Sequence, residues 1–201
     1  MLQDFSPLQV ENKETFILCG QICDNICDKL IEVYNNKTPD RGKIGTMLEG
    51  GGYVNRVDTT VKDSYDVALD PDDVSPYVID VFELVKQYIR KYDILASKFQ
   101  NYKINETINI QKYPPDGGFH QPHYERNYEG ETQRHFVFMT YLNTIEQGGE
   151  THFKYYNGGV QPRKGLTLLW PADWTHTHYS IPAPKEEKMI ITGWINYESG
   201  N

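Results

Sequence analysis

The sequence predicts an α+β fold: a double-stranded β-helix (jelly roll) with N-terminal helices packed on one outer face. Three observations carry that expectation. Residues up to about 104 hold two long stretches of helical periodicity, residues beyond break into short runs rich in Ile, Val, Thr, Phe and Tyr, and Gly, Pro, Asn and Asp punctuate those runs closely. At 201 residues the chain reads as one domain, 1–201, with about 1–104 as helical support and mobile loop and about 105–201 as the jelly-roll core.

Phe16, Cys19, Ile22, Cys23, Ile26, Cys27, Leu30 and Val33 recur at helical spacing, so the first helix is expected over about 14–36, ending at Asn35-Asn36. A second is expected from about Asp73 to Lys98, with Val78, Val81, Phe82, Leu84, Val85 and Ile89 on its apolar face. Between them, residues 40–70 combine Gly50-Gly51-Gly52 with scattered charges and no period, the pattern of a mobile surface loop. The expected strands are Thr107–Tyr113, Gly118–Glu125, His135–Leu142, Glu150–Tyr156, Leu166–Trp170, His176–Ile181 and Met189–Tyr197.

Composition excludes several function classes. Apolar residues make up only 38%, but 15 Tyr and 8 Phe bury much area per residue, so a packed core is within reach. The net charge is −8 and no Lys/Arg run exceeds two, which argues against a nucleic-acid partner. No stretch approaches the length of a membrane span, and MLQDFSPLQV lacks the charged and apolar regions of a secretory leader. The expected compartment is therefore cytoplasmic. Cys19, Cys23 and Cys27 would share one stripe of the first helix, where they read as small apolar residues rather than cluster ligands or a disulfide framework.

All six histidines lie between His120 and His178, and histidine is the commonest metal ligand. In a strand, His123 and Glu125 project from the same face and could close on one cation. A second histidine is offered by His176-Thr177-His178, with either imidazole able to serve. Two histidines and a carboxylate with the opposite positions open form the ligand set of non-haem Fe(II) oxygenases. Alternation puts Lys188, Ile190, Thr192 and Trp194 on one face of the last run. A lysine facing a core needs an anion such as a cosubstrate carboxylate; the competing reading places Lys188 in solvent at the head of the strand.

From about Tyr113 to Trp194 the sequence resembles the 2-oxoglutarate- and Fe(II)-dependent dioxygenases of the prolyl 4-hydroxylase type. The matching text is Tyr113-Pro114-Pro115, His123-Tyr124-Glu125, Arg134-His135-Phe136, Tyr141-Leu142-Asn143, Gly148-Gly149-Glu150-Thr151, the segment from Trp170 to His178, Lys188 and Thr192-Gly193-Trp194. Carried over, the resemblance implies that His123, Glu125 and His178 bind the metal and that Lys188 pairs with the far carboxylate of 2-oxoglutarate. It implies that Tyr141 hydrogen-bonds the same carboxylate, that Tyr113 approaches the cosubstrate and that Trp194 forms a pocket wall. The ten-residue step to Lys188 favours His178 over His176. Thr151 reads as structural, Gly148 and Gly149 as the positive-φ residues of its turn, and His120, His135 and His152 as packing or polar residues.

The implied cofactors are Fe(II), 2-oxoglutarate as cosubstrate and O2, with ascorbate a candidate reductant. The implied reaction is hydroxylation of prolyl residues in a polypeptide, with release of succinate and CO2. Most of the family has Asp where this chain has Glu125. That departure keeps a noncatalytic jelly-roll binding module with a degenerate metal site in view, beside a hydroxylase of a free amino acid or other small molecule. A metal-assisted hydrolase would leave Lys188 without a role.

Overall fold

A computed structural model describes residues 14–48, 51–96, 101–126, 133–156 and 158–197. In chain order the elements are β1 (Leu18–Gln21), α1 (Asp24–Asn35), β2 (Asp40–Arg41), β3 (Ile44–Met47), β4 (Tyr53–Arg56), β5 (Tyr65–Leu69), α2 (Ser75–Lys91), α3 (Asp93–Ala96), β6 (Tyr102–Lys103), β7 (Ile108–Tyr113), β8 (Arg134–Tyr141), β9 (Thr151–Phe153), β10 (Gly159–Val160), β11 (Leu166–Pro171), β12 (His178–Ser180) and β13 (Lys188–Tyr197). Short 3-10 turns at Pro71–Val74 and Trp174–His176 precede α2 and β12.

The main antiparallel sheet runs β1-β11-β8-β13-β7-β5-β2, with β6 beside the end of β13, and a smaller sheet runs β10-β9-β12. Strand alternation separates two cores. Phe136, Phe138, Ile108, Ile110, Ile191 and Ile195 face the helices and meet Cys27, Leu30, Val81, Leu84 and Val85. Val137, Met139, Leu168, Trp170 and Ile190 face the smaller sheet and meet Phe153 and Val160. The helices therefore pack on one outer face, as expected, and the opposite face is left for a cavity between two sheets.

Five expectations need correction. Residues 14–36 are not one helix: Leu18–Gln21 form a strand on β11, and the helix starts at Asp24. Ile17 and Cys19 go to one core while Leu18 goes to the other. An edge strand buried on both faces reads as a continuous apolar run, which periodicity cannot distinguish from a helix. The cysteine stripe dissolves with it: Cys19 lies in β1, Cys23 is the exposed residue before α1, and only Cys27 is buried in the helix.

Residues 40–70 are not a mobile loop but supply β2, the β3–β4 hairpin and β5. Val67 and Leu69 are the buried apolar anchors of β5, while Asp66 and Ala68 border the cavity, an alternation only two apolar positions long. Of the three glycines, Gly51 and Gly52 turn the hairpin at φ of 91° and 106°, and Gly50 lies outside the described residues. The expected strand Gly118–Glu125 is irregular, forming isolated bridges at Lys62–Phe119 and His123–His178 in place of a continuous ladder. Pro122 within it has no N–H to give a ladder. Finally, the second helix splits: α2 stops at Lys91 and α3 follows, while residues 97–100 lie outside the described segments.

The turn before β9 follows the sequence reading, since Gly148 and Gly149 have φ of 74° and 80°. A Cβ at Gly148 would stand 2.3 Å from the Pro182 carbonyl oxygen, part of the backbone that closes the turn. Gly148→Ala is expected to lower stability by about 2–4 kcal/mol, from a strained φ plus overpacking, measured by denaturant unfolding. A loss near zero would show that the turn relaxes freely.

Candidate metal centre and the cavity around it

The irregular segment after β7 is tied to the start of β12 by two backbone hydrogen bonds. His123 N–H donates to His178 O at 3.0 Å, and His178 N–H donates to His123 O at 2.9 Å. That bridge sets the two imidazoles side by side, with ring centroids 4.4 Å apart. Glu125 is placed by its own N–H, which donates to Ala172 O at 3.1 Å. Its Oε1 lies 3.5 Å from His123 Nε2 and 3.6 Å from His178 Nε2. One donor atom from each of the three residues falls within 4.8 Å of the others.

The hydrogen bonds behind the rings define which nitrogen is available. His123 Nδ1 is 2.9 Å from Gln121 O, and His178 Nδ1 is 3.0 Å from His176 O. A carbonyl only accepts, so each Nδ1 carries the proton and each Nε2 presents a lone pair to the same point. Burial lowers both imidazole pKa values, that of His178 to about 4 with His123 adding to the effect, so both rings are neutral ligands at pH 7. Burial alone would raise the Glu125 pKa, but the imidazoles when protonated, the Arg134 guanidinium and the Trp194 N–H outweigh it and lower the group below its ordinary value. Two neutral imidazoles and one carboxylate are a donor set suited to a divalent cation such as Fe(II).

His176 faces elsewhere. It is buried, and its Nε2 lies 3.0 Å from Thr15 O, which can only accept. Its Nδ1 is 3.0 Å from Thr175 Oγ1. Between the two histidines that the sequence left open, the geometry brings His178 to the cluster and leaves His176 as packing. His135 is likewise engaged away from the site, wedged against Tyr102, Phe136 and Tyr197.

The cluster opens on a cavity of about 640 Å³ whose lining includes Tyr113, Thr151, Ser180, Lys188, Thr192 and Trp194. Lys188, opposite Tyr113 in the β7–β13 register, is 3% exposed, which excludes the solvent reading. Its ammonium donates to Gly149 O at 3.0 Å and to Ser180 Oγ, and lies 5.1 Å from the centre of the Tyr113 ring. Burial pushes its pKa down to about 7, against a partial pull upward from Glu150. A buried cation so weakly compensated favours an anionic ligand.

Tyr141 departs from its expected place. It is fully buried, with its hydroxyl donating to Thr151 Oγ1 at 2.6 Å and lying 3.0 Å from Val160 O, and Thr151 rather than Tyr141 borders the cavity. Thr151, read as structural, thus stands at the cavity wall with Tyr141 behind it. Sequence reasoning also gave no role to Arg134, Glu106 or Phe119. Arg134 stands 3.7 Å over the Trp194 ring, and Phe119 stacks on His123 at 3.7 Å between centroids. An arginine heading an apolar run was the available signal for the first, since a strand buried on both faces seldom begins with a guanidinium unless it is paired.

Residues 108–196, a little under half of the chain, match the family described as the 2OG-Fe(II) oxygenase superfamily. Prolyl 4-hydroxylase 13 of Arabidopsis thaliana is 32% identical over 128 residues, covering 50% of this chain and 46% of the relative. Prolyl 4-hydroxylase subunit alpha-2 of Gallus gallus is 25% identical over 113 residues, covering 49% of this chain and 21% of the relative. The chain thus aligns with less than half the length of these relatives. A Pseudomonas putida prolyl-4-hydroxylase has the same fold at a TM-score of 0.65 and 13% identity, over 92% of this chain and 94% of that one. The viral collagen prolyl hydroxylase of Paramecium Bursaria Chlorella virus-1 follows at 0.59 and 17%, over 90% and 96% of the two chains.

Proposed function

We propose that the protein is a Fe(II)- and 2-oxoglutarate-dependent dioxygenase that hydroxylates prolyl residues in a polypeptide. The observation that carries this reading is one cavity bordered both by three converging metal donors and by a buried lysine. His123, Glu125 and His178 would hold Fe(II). Bound iron, with 2-oxoglutarate and O2, supplies the oxidising power to hydroxylate an unactivated C–H bond as the cosubstrate leaves as succinate and CO2. Lys188 would bind the distal carboxylate with a charge-assisted hydrogen bond, beside the hydroxyls of Thr151 and Ser180. Tyr113 and Trp194 wall the cavity.

The noncatalytic alternative rested on drift at Glu125. Its Oε1, standing between two imidazole nitrogens, supports an intact ligand set instead. A polypeptide substrate is supported by the mouth, which the β3–β4 hairpin borders through Ile44, Gly45 and Asn55, and by the relatives named prolyl 4-hydroxylases. Three free thiols at Cys19, Cys23 and Cys27 support a reducing compartment, so a cytoplasmic location is proposed with the activity. Among the described residues no helix is long and apolar enough to cross a membrane.

The test is succinate formation. It should require Fe(II), O2 and 2-oxoglutarate together and rise with proline-containing peptides, which should gain one oxygen atom at proline by mass spectrometry. Succinate without any gain at proline would overturn the substrate assignment, and no succinate would overturn the activity.

The Lys188 ammonium also sets a pH dependence. An anion beside it favours the protonated form, so the bound pKa lies above the free value of about 7. Binding then takes up a proton above pH 7, and 2-oxoglutarate affinity should fall towards about tenfold per pH unit until the bound pKa is passed. Anaerobic calorimetry between about pH 7 and 9 reads this directly, and Lys188→Arg, which stays charged, should flatten the slope. A flat wild-type profile would contradict the role of Lys188.

A further inference from the structure

Building on the metal centre proposed above, we infer that Trp194 and Arg134, with Glu106 behind them, are positioning residues that turn the Glu125 carboxylate so that one oxygen alone is offered to the cation. Trp194 Nε1–H donates to Glu125 Oε2 at 2.9 Å, while Oε1 is the oxygen that faces both imidazoles. The two oxygens are thereby given different partners. An indole N–H is only a donor, so it holds Oε2 without competing for the metal's place.

The indole is itself held. The Arg134 guanidinium lies 3.7 Å from the centre of the Trp194 ring, a cation–π stack at close range. Arg134 also donates to the Glu125 backbone oxygen at 2.9 Å, and its Nη1 is 3.9 Å from Oε2. Its remaining nitrogens fork onto Glu106, Nε to Oε1 at 3.0 Å and Nη2 to Oε2 at 2.6 Å. Asn196 Nδ2 donates to Glu106 Oε1 at 3.0 Å, which ties the far end of the chain to β13. A bidentate guanidinium–carboxylate pair has little rotational freedom, so it fixes the plane on which the indole rests.

This answers the difficulty raised by Glu at position 125. The extra methylene adds about 1.5 Å of reach and one more rotatable bond than Asp has. Left free, the longer arm could swing both oxygens onto the cation and take a coordination position needed by cosubstrate or O2. With Oε2 drawn back to Trp194, the added length is taken up and Oε1 remains as the single ligand atom. An Asp at 125 could not meet the imidazole cluster and Trp194 Nε1 together.

The test uses Co(II) as the probe, with its affinity and visible ligand-field spectrum as readouts independent of turnover. Trp194→Phe removes the N–H and keeps a ring beneath Arg134. It should weaken Co(II) binding about tenfold and change the spectrum, with the far-ultraviolet dichroism unchanged. In a Glu125→Asp background the same substitution should change neither readout further, because the bond it removes is already absent. Glu106→Gln, which loosens Arg134 without touching the ring, should shift the spectrum in the same direction and covers the case in which Trp194→Phe fails to fold. Wild-type affinity and spectrum in Trp194→Phe, or equal effects of that change in both backgrounds, would overturn the inference. A wild-type chain that takes up no Co(II) would remove the metal centre beneath it, an outcome separable from the other two.

Discussion

His178→Ala is expected to abolish both divalent-metal binding and turnover, whereas His176→Ala leaves both within a few-fold of the wild type. The two residues are neighbours in sequence and both are buried, so composition and burial do not separate them. Their hydrogen bonds do. His178 gives its Nδ1 proton to a carbonyl and leaves Nε2 facing Glu125, while His176 commits Nε2 to the Thr15 carbonyl. Removing a ligand atom should cost more affinity than the ten- to hundredfold typical of a lost supporting partner. His176→Ala removes the hydrogen bond to the Thr15 carbonyl and the packing against Phe153 and Tyr156, which should cost about 1–3 kcal/mol of stability, so it is expected to melt earlier yet bind metal. Equilibrium dialysis against Co(II) with calorimetric melting separates the two effects, and metal binding that survives in His178→Ala but fails in His176→Ala would exchange their roles.

Lys188→Met is the second substitution with a large expected effect. It should raise the 2-oxoglutarate requirement by at least about 30-fold, since losing one partner of a buried charge pair costs about 2–5 kcal/mol. Metal affinity should stay nearly unchanged, because Lys188 makes no hydrogen bond to His123, Glu125 or His178. Stability should not fall steeply either. The ammonium is buried with its pKa pushed down to about 7, so methionine of similar length removes a desolvation penalty while leaving the Gly149 carbonyl unpaired. Steady-state kinetics beside Co(II) titration reads the split. An equal loss of both affinities would mean that Lys188 supports the fold of the site and does not bind the cosubstrate.

The β-rich half of the fold was legible in the sequence because β7, β8, β11 and β13 announce themselves by β-branched and aromatic runs between turn residues. The ligand set was legible for the same local reason: His123 and Glu125 stand two apart, and His178 precedes Lys188 by ten. What escaped has a common cause. β1 is buried on both faces and so lacks the alternation of a strand with one wet face, while β5 alternates over only five residues, with Val67 and Leu69 as its two buried positions. The hydroxyl order in the pocket, Thr151 in front and Tyr141 behind, depends on how β9 sits against β8, a long-range packing that no local spacing encodes. The support of Glu125 by Trp194, Arg134 and Glu106 joins residues from β13, the head of β8 and the loop before β7, and only the assembled sheet brings them together.

The most direct measurement is anaerobic titration of the protein with Fe(II) and 2-oxoglutarate, following the visible metal-to-ligand charge-transfer absorption. The expected result is a band that needs both components, saturates at one iron per chain, persists in His176→Ala and vanishes in His178→Ala. Absence of the band in the wild type, or its survival after His123 and His178 are both replaced, would contradict an oxygenase centre built on these three side chains.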